Sequence, residues 1–249
     1  MPINNKISII TLTYNSQKNL QRTLDSIKSQ SYLNIEHIII DGMSADLTQD
    51  IINKYIKSVE YEVKVYKLKP LGIFNALNYG IDKSSGNYIG IAHSDDCFSS
   101  TETLALINSY IGDDVDCIFG NINIVDSKNR IIRKWNNIDI AKRSNYYWQP
   151  PHTATFIKKN VYDNYGKYNE AFKISGDFEF FCRLPRSLVN KFIHVDKTLV
   201  HQEIGGISTS KRYFILKLKE DLEILKTYSN EPYSDLFKKK LLKINQFFS

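Results

Sequence analysis

Short apolar runs typical of strands alternate with helical patterns in the first part of the chain. Residues 7–13 are rich in Ile and Thr and predict a first strand. Leu20, Leu24 and Ile27 then recur at helical spacing and form one apolar stripe, after Ser16, which is a good N-cap residue. Strands that alternate with helices are typical of βαβ units. The pattern therefore predicts an α/β fold in which helices flank a mostly parallel central sheet.

The same alternation continues along the chain and then becomes less regular. Further strands are predicted at 36–41, 61–68 and 87–92, and further helices by the stripes Leu47–Ile51–Tyr55, begun by Ser44, and Ile73–Leu77–Ile81. The second half predicts a hairpin over 117–135, a helix over 176–184, a strand pair near 192–201 and two helices after 208. Because no linker separates these parts, we expect one domain at 1–207, with halves at 1–97 and 98–207, and a helical extension at 208–249.

Composition places the chain among globular proteins and excludes several classes. Of its 249 residues, 42% are hydrophobic and 24% are charged, which fits neither a disordered nor a fibrous chain. The net charge of +6 favours an anionic substrate, an anionic membrane face or nucleic acid, but Lys and Arg are dispersed and no nucleic-acid motif accompanies them. The three cysteines form no CxxC pair, and neither a signal peptide nor a membrane span stands out. We therefore expect a cytoplasmic protein that does not bind nucleic acid.

Polar residues gather where the predicted strands end. Tyr14-Asn15, Asp41-Gly42 and Asp95-Asp96 follow the first, second and fourth strands. Open α/β sheets bind their ligands in the crevice beyond the carboxyl ends of the strands. The sequence therefore predicts a ligand site at this edge of the sheet.

The usual phosphate-binding loops are missing from the sequence. Thr13-Tyr14-Asn15-Ser16 stands where a dinucleotide-binding protein has GxGxxG, and Gly166-Lys167 lacks the rest of a P-loop. Asp95 and Asp96 offer another means of holding a diphosphate, because paired carboxylates bind the divalent cations that neutralise it. Alternatively, the pair caps the next helix. Asp41 either caps a turn with the glycine after it or accepts hydrogen bonds from a base or ribose.

Ordered motifs in the first half resemble those of the family 2 glycosyltransferases, which have the GT-A fold. They are Ile7–Asn15, Ser26–Tyr32, Ile38–Asp46, Gly72–Gly80 and Ser85–Gly90 with Ser94–Asp96. By this resemblance, Thr13, Tyr14, Asn15 and Asp41 surround the nucleoside of a sugar nucleotide, most often uridine, and Gly72, Asn75 and Asn78 line its pyrophosphate. The acid pair takes the place of the family's DxD motif, with Asp95 at the ribose and Asp96 on Mn²⁺ or Mg²⁺. His93 departs from the family pattern, because it stands where the motif has its first acid.

A looser resemblance continues through the second half, to enzymes that extend bacterial cell-surface polysaccharides. It is carried by residues 152–156, 165–168, 175–184 and 205–208. It implies that Asp177 is the general base, although Gly176 replaces the Glu that usually precedes this Asp. His201 is either a late metal ligand or a structural residue, and His152 either contacts the acceptor or donor sugar or has a packing role. Trp148 and its neighbour Tyr147 either stack on a sugar face or belong to the core.

The resemblance implies an inverting, metal-dependent transferase that moves a hexosyl or N-acetylhexosaminyl group from a UDP-sugar or related donor. The implied acceptor is a hydroxyl of a glycan or of a lipid-linked molecule in the synthesis of surface polysaccharides. Glu179 is the rival base, but two helical positions place it about 200° around the helix from Asp177, so we expect Asp177 to act. Two alternatives stay open: a non-catalytic scaffold relative, and a sugar nucleotidyltransferase, which needs a Gly-rich, Arg-bearing loop that this sequence lacks after its first strand.

The last segment, residues 234–249, predicts an amphipathic helix. Its apolar stripe is Phe237, Leu241, Ile244 and Phe248, and its basic face is Lys238, Lys239, Lys240 and Lys243. Such a helix either lies in an anionic membrane interface, which would suit a lipid-linked acceptor, or packs on the domain. A peripheral location on the inner face of the plasma membrane is therefore one of two predictions.

Overall fold

The computed structural model describes residues 5–136, 147–205 and 213–245, with side chains up to residue 241. The strands are β1 (Ile7–Thr13), β2 (Ile35–Asp41), β3 (Glu62–Lys67), β4 (Tyr88–Ile91), β5 (Asp96–Phe98), β6 (Cys117–Val125), β7 (Ile131–Trp135), β8 (Thr155–Lys158) and β9 (Phe192–Glu203). The helices are α1 (Leu20–Lys28), α2 (Thr48–Ile56), α3 (Ile73–Lys83), α4 (Thr103–Tyr110), α5 (Lys159–Tyr165), α6 (Gly176–Arg183), α7 (Arg186–Val189), α8 (Phe214–Tyr228) and α9 (Pro232–Asn245), and a short 3-10 helix spans His152–Ala154.

These strands form one sheet in the order β3-β2-β1-β4-β8-β6-β9-β5, with β7 paired to β6. The four strands from β3 to β4 are parallel, as the alternation of strands and helices predicts. The register of β1 on β2 runs from Ile7 opposite Ile35 to Thr13 opposite Asp41. The carboxyl ends of these two strands are therefore level, and the residues that follow them share one edge of the sheet.

The second half of the sheet is mixed. β8 pairs antiparallel with both β4 and β6, whereas β9 is parallel to β6 and antiparallel to β5. The strand pair predicted near residues 192–201 is wrong, because β9 is one long strand whose register on β6 shifts between Phe119, opposite His194, and Asn121, opposite Thr198. The predicted turn is replaced by an irregularity within one strand. β9 thereby continues as far as β5, next to the acid pair.

Helices cover both faces of the sheet and bury its aliphatic side chains. Ile9 and Ile10 of β1 are both fully buried but belong to different apolar clusters, because successive side chains of a strand point to opposite faces. Ile9 shares its cluster with Phe156, and Ile10 shares its cluster with Leu77 of α3. The site loops therefore extend from a sheet that is packed on both sides.

Some predicted helix starts are wrong. α2 begins at Thr48, and Leu47, which the sequence places in the apolar stripe of this helix, is 61% exposed. Ser16 and Ser44 are not the N-caps of α1 and α2. Their hydroxyl groups instead form hydrogen bonds within and between the loops that follow β1 and β2.

The predicted C-terminal helices, α8 and α9, pack on α6. Phe178 and Cys182 of α6 contact Ile224 and Leu225 of α8, and Leu236 of α9 packs against this cluster. A chain division at residue 207 stays a prediction. Within the described ranges, no helix combines the length and the apolar character that a membrane crossing requires.

Candidate active site

Hydrogen bonds join the loops that follow three neighbouring parallel strands. The Ser16 hydroxyl, after β1, donates to Ser94 Oγ, after β4, at 2.9 Å. The Ser16 backbone N–H donates to Thr48 Oγ1 at the start of α2, at 2.8 Å. The predicted gathering of polar residues at one edge of the sheet is therefore confirmed as a single surface.

Asn15 locks the loop after β1 to the loop after β2. Its φ of +48° lies in the left-handed region, which Asn tolerates better than most residues. Its backbone N–H donates to Ser44 Oγ at 2.9 Å, and its Oδ1 accepts a hydrogen bond from the Ala45 N–H at 2.9 Å. Tyr14 is 59% exposed, so its ring is available to a ligand. Thr13 Oγ1 is buried and has no hydrogen-bond partner among the described residues.

Asp41 closes the turn that follows β2. Its side chain is almost fully buried, and its carboxylate accepts hydrogen bonds from the Ser44 N–H at 3.1 Å and the Ser44 hydroxyl at 2.5 Å. These hydrogen bonds agree with turn capping, which is one of the two roles predicted for Asp41. Contact with a base or ribose stays a prediction, and it would use the lone pairs that the turn leaves unoccupied.

Asn75 and Asn78 of α3 both donate to Glu170, at 2.8 and 2.9 Å. Asn78 also donates to the Tyr168 carbonyl and accepts from the Tyr168 N–H, so its buried amide is fully engaged. These hydrogen bonds tie α3 to the segment before α6, and the contact of Asn78 with a pyrophosphate stays a prediction. The hydrogen bonds from Asn75 and Asn78 lower the pKa of Glu170 and keep it ionised.

Gly72 begins α3 at the same edge of the sheet. Its φ of +132° is in the region that favours glycine, and no atom lies within 4 Å of the position that a Cβ would occupy. The residue therefore leaves an open approach to the first turn of α3. Its predicted place beside a pyrophosphate stays a prediction.

The two carboxyls of the acid pair after β4 differ in exposure. Asp96 is fully buried: its Oδ2 accepts from the His93 N–H at 2.9 Å, and its Oδ1 has no hydrogen-bond partner in the described part of the chain. Asp95 is partly exposed. Burial raises the pKa of both carboxyls, and the neighbouring charge of Asp95 raises that of Asp96 further. The pair does not cap a helix, because α4 begins only at Thr103.

His201 lies on β9, the strand that pairs with β5, next to the acid pair in register. His201 lies opposite Cys97, next to the pairing of Asp96 with Gln202, and its buried Nδ1 has no described partner. Burial, together with the charge of Arg22, lowers the pKa of His201, so the ring is neutral and able to ligate a metal. Arg22 itself forms a 2.7 Å ion pair with Glu203, which the sequence analysis did not identify.

This chemistry fits a divalent cation. Two adjacent carboxylates resist ionisation until a positive charge compensates them, and an orphaned carboxylate oxygen is a ready ligand. The described residues do not include a preformed group of three or more His, Cys, Asp or Glu in a metal-binding arrangement. A role for Asp95, Asp96 and His201 in holding such an ion therefore stays a prediction.

Asp177 lies in the first turn of α6, at the same crevice. Its side chain is 14% exposed. The Gln149 Nε2 donates to its Oδ2 at 2.5 Å, and the Phe178 N–H donates to its Oδ1 at 2.8 Å. The segment 147–151 therefore holds one side of this carboxylate. Gln149 was not identified from the sequence, since it has no motif of its own.

His152 connects Asp177 to His93. Its Nδ1 is 4.0 Å from Asp177 Oδ2, and its Nε2 is 3.2 Å from the Nε2 of His93. Burial lowers the pKa of His93 to about 3 and also lowers that of His152, so both rings are neutral and one donates an N–H to the other. The residue that departs from the family pattern, His93, thus links the acid-pair loop to the predicted base.

Glu179 and the aromatic pair belong to the packing of the protein. Glu179 is buried and accepts hydrogen bonds from Arg183 at 3.1 Å and from the Tyr228 hydroxyl at 2.7 Å. Trp148 is partly buried and packs edge-to-face on Phe119, with ring centroids 5.2 Å apart. Tyr147 donates a hydrogen bond to the Tyr228 carbonyl. These contacts favour the core alternative for both aromatic residues over stacking on a sugar.

The chain combines a parallel βαβ half, which has exposed loops at its strand ends, with a mixed half that carries a carboxylate to the same crevice. This combination is the GT-A class of fold. The profile of the family described as "Glycosyl transferase family 2" matches residues 8–184. The chain therefore belongs to the family 2 glycosyltransferases.

Known proteins agree with this assignment. The chain is 28% identical over 207 residues to a PGL/p-HBAD biosynthesis glycosyltransferase of Mycobacterium tuberculosis, covering 82% of this chain and 79% of that protein. Staphylococcus aureus TarS 1-349 in complex with UDP-GlcNAc superposes with a TM-score of 0.69 at 21% identity, covering 92% of this chain and 69% of TarS. GalNAc-T7 with UDP, GalNAc and Mn²⁺ superposes with a TM-score of 0.67 at 16% identity, covering 92% of this chain and 49% of GalNAc-T7. At these sequence identities, the similarities to TarS and GalNAc-T7 show a shared fold only.

Proposed function

We propose that this chain is an inverting glycosyltransferase that uses a UDP-sugar and a divalent cation to glycosylate a hydroxyl group. The observation that carries the proposal is the convergence of Asp177, His152 and the acid-pair loop on one crevice, through the contacts with His93. The UDP-GlcNAc bound to TarS supports the donor class, and the UDP, GalNAc and Mn²⁺ bound to GalNAc-T7 support the nucleotide and the cation. A hexosyl or N-acetylhexosaminyl group is the proposed cargo.

Asp177 is the proposed general base. An acceptor hydroxyl is a weak nucleophile near neutral pH, and a carboxylate that removes its proton during attack on the anomeric carbon accelerates transfer by about 10²–10⁴-fold. The hydrogen bonds from Gln149 and Phe178 fix the carboxylate without using all of its lone pairs. Attack from the side opposite the leaving diphosphate inverts the configuration at the anomeric carbon.

The proposed cation ligands are Asp96 and His201. The proposed nucleoside site consists of Thr13, Tyr14, Asn15, Asp41 and Asp95, with Gly72, Asn75 and Asn78 near the pyrophosphate. A bound Mn²⁺ or Mg²⁺ would supply positive charge to the leaving diphosphate. By the family resemblance, Asp95 contacts the ribose and Asp96 binds the metal. Asp95 is the more exposed of the two carboxylates. Separate variants of Asp95 and Asp96 distinguish a ribose contact from a metal ligand.

The proposed acceptor is a glycan or a lipid-linked molecule of the bacterial cell surface, and the proposed location is cytoplasmic and peripheral to the membrane. The relative in Mycobacterium tuberculosis has a name that refers to PGL/p-HBAD biosynthesis, which supports a biosynthetic glycosyltransferase. Bacterial surface polysaccharides remain the wider class proposed from the sequence.

The exposed side of α9 supports the membrane part of this proposal. Tyr233, Phe237 and Leu241 follow one another at four-residue spacing and are all exposed. Lys240 lies over the ring of exposed Phe214, at 5.6 Å. The prediction that Lys239 lies on the exposed basic face is wrong, because its side chain points inward to Asp221. Lys243, Ile244 and Phe248 lie outside the described side chains.

A panel of donors tests the class and the donor together. The purified chain is incubated with UDP-GlcNAc, UDP-GalNAc, UDP-glucose and GDP-mannose, each with and without Mn²⁺, and both thermal stabilisation and release of the nucleoside diphosphate are measured. We expect one UDP-sugar to stabilise the fold and to be hydrolysed slowly in the presence of Mn²⁺. Stabilisation by none of the four donors would contradict the proposed donor class.

Binding to anionic vesicles tests the location. The double variant Phe237→Ser/Leu241→Ser is expected to sediment with phosphatidylglycerol vesicles several-fold less than the wild type, because the interfacial affinity of a helix scales with its buried apolar area. Equal sedimentation of the two proteins would remove the membrane from the proposal.

A further inference from the structure

The turn that leads into α6 is bound by a carboxylate of α8. Glu220 is 6% exposed, and three consecutive backbone N–H groups converge on it: Lys173 donates at 2.9 Å, Ile174 at 3.0 Å and Ser175 at 2.8 Å. Three converging N–H groups satisfy one buried carboxylate only when the backbone of the turn has a defined path. Glu220 therefore fixes the chain immediately before Asp177.

The neighbouring residue of α8 fixes the same turn through its side chain. Asp221 is fully buried, and its Oδ1 accepts a hydrogen bond from the Ser175 hydroxyl at 2.7 Å. Lys239 of α9 lies 3.0 Å from the same carboxylate oxygen. Burial by itself would raise the pKa of Asp221, but the charges of Lys239 and Lys217 outweigh it and hold this pKa at about 2. The carboxylate is therefore ionised, with charged partners from both C-terminal helices.

These contacts surround the residue that precedes α6. Ser175 is the N-cap residue of the helix, and Asp177 follows two positions later. Gly176 between them is confined as well, because a Cβ at this position would lie 2.7 Å from the ring of Phe74. A shift of the turn at residues 173–175 therefore moves the Asp177 carboxylate relative to Gln149 and His152.

The helices that provide these contacts lie beyond the part of the chain that the family profile matches, which ends at residue 184. We propose that Glu220 and Asp221 of α8, supported by Lys239 of α9, are positioning residues for the catalytic carboxylate of Asp177. The inference rests on the proposed role of Asp177 as general base. α8 and α9 thus act in catalysis by setting the geometry of the turn that carries the base.

The Glu220→Gln variant tests the inference, with Glu223→Gln as its matched control. A Gln side chain has one acceptor oxygen, so at least one of the three N–H groups would face an NH₂ group. Glu223 lies on the same helix, is exposed, and makes no described side-chain hydrogen bond or ion pair, so its variant changes the same chemistry away from the turn. Donor hydrolysis is measured per UDP-binding site, with sites counted by calorimetric titration of UDP in Mn²⁺.

We expect Glu220→Gln to lower kcat about 10–100-fold, because a displacement of about 1 Å costs up to 10²-fold. The KM of the donor and the Kd of UDP should stay within twofold, since the nucleoside loops are untouched. Hydrogen exchange of the amides of residues 173–177 should accelerate in Glu220→Gln and not in Glu223→Gln. Unchanged kcat per site, or unchanged exchange, would overturn the inference and leave α8 a packing element.

A second variant keeps the inference testable if the Glu220→Gln protein does not fold. Ser175→Ala removes only the hydroxyl that Asp221 binds, and we expect the same direction of change in kcat per site, with a smaller magnitude. The Asp177→Asn protein separates this inference from the proposed function. Activity retained by Asp177→Asn would overturn both, whereas its loss together with an unaffected Glu220→Gln and Ser175→Ala would overturn the positioning role alone.

Discussion

The two sides of the crevice are built in different ways. The proposed donor-side loops, residues 13–16 and 41–45, are held by turns and by hydrogen bonds between the loops that follow two adjacent strands, such as those of Asn15 with Ser44 and Ala45. The base-side turn, residues 173–177, is held by Glu220 and Asp221, which come from a helix far along the chain. The donor side is therefore a local structure that carries motifs, whereas the base side depends on long-range packing.

The largest expected effect comes from replacing the proposed base, Asp177. Asp177→Asn is predicted to lower kcat by about 10²–10⁴-fold, because the amide cannot take the acceptor proton. UDP affinity in Mn²⁺ should stay within twofold, since the donor-side loops are intact. Transfer or hydrolysis rates and UDP titrations measure the two quantities.

Glu179→Gln is the control for this prediction. Its side chain faces Arg183 and Tyr228, so we expect a lower Tm but most of the activity retained in the folded protein. A near-wild-type rate for Asp177→Asn, or an inactive but folded Glu179→Gln protein, would show that the base is misassigned.

The next prediction concerns the acid pair, where the two sides of the crevice meet. Asp95→Asn and Asp96→Asn should each reduce the Mn²⁺-dependent gain in UDP affinity by about 100-fold, since even outer-shell partners of a metal contribute 10–100-fold to its affinity. Calorimetry with and without Mn²⁺ checks this, and Asp114→Asn, at an exposed carboxylate, is the control. Weaker UDP binding in the absence of Mn²⁺ would indicate a ribose contact for the residue changed. An unaltered gain in both variants would contradict the metal site.

The next prediction concerns the pH dependence of stability, through a buried histidine in the sheet beneath the donor-side loops. His37 of β2 is fully buried between Tyr55 and Thr11, and burial lowers its pKa from 6.5 to about 3. The unfolded chain therefore takes up a proton below pH 6.5 that the folded chain refuses, and stability falls as the pH falls. From pH 7 to pH 5 this one group accounts for about 2 kcal/mol of lost stability.

His37→Gln removes this titration. Its free energy of unfolding, measured with urea at several pH values, should depend on pH less steeply than that of the wild type by one proton. Identical slopes for the two proteins would show that His37 is not neutral in the fold.

The smallest predicted effect concerns Tyr14 on the donor side. Tyr14→Ala should weaken UDP binding about tenfold, near the lower end of the ~1–3 kcal/mol of base–aromatic stacking, because the ring is exposed on one side. The Tm should not change, since the ring is not part of the core. Tyr110→Ala, at another exposed tyrosine, is the control. Equal UDP affinity in both variants would remove Tyr14 from the nucleoside site.

The sequence alone determined the donor side to a large extent. β1–β4 and α1–α3 overlap the segments that the apolar periodicity predicts, although α1 and α2 start later than expected. The polar residues after β1, β2 and β4 share one edge as expected. This was possible because strands, helices and turns are set by residues close in the chain. The departure at His93 was visible as well, although its hydrogen bond with His152 was not.

Only the tertiary structure decided how the distant residues are used. It engages Asn78 with Tyr168 and Glu170, makes β9 one strand, directs Lys239 inward to Asp221, and brings Gln149 and Glu220 to the two sides of the Asp177 turn. A residue pattern gives the direction of a side chain around its own helix, but not which helix or turn packs against it. The base side therefore became clear only when the fold brought α6 and α8 together.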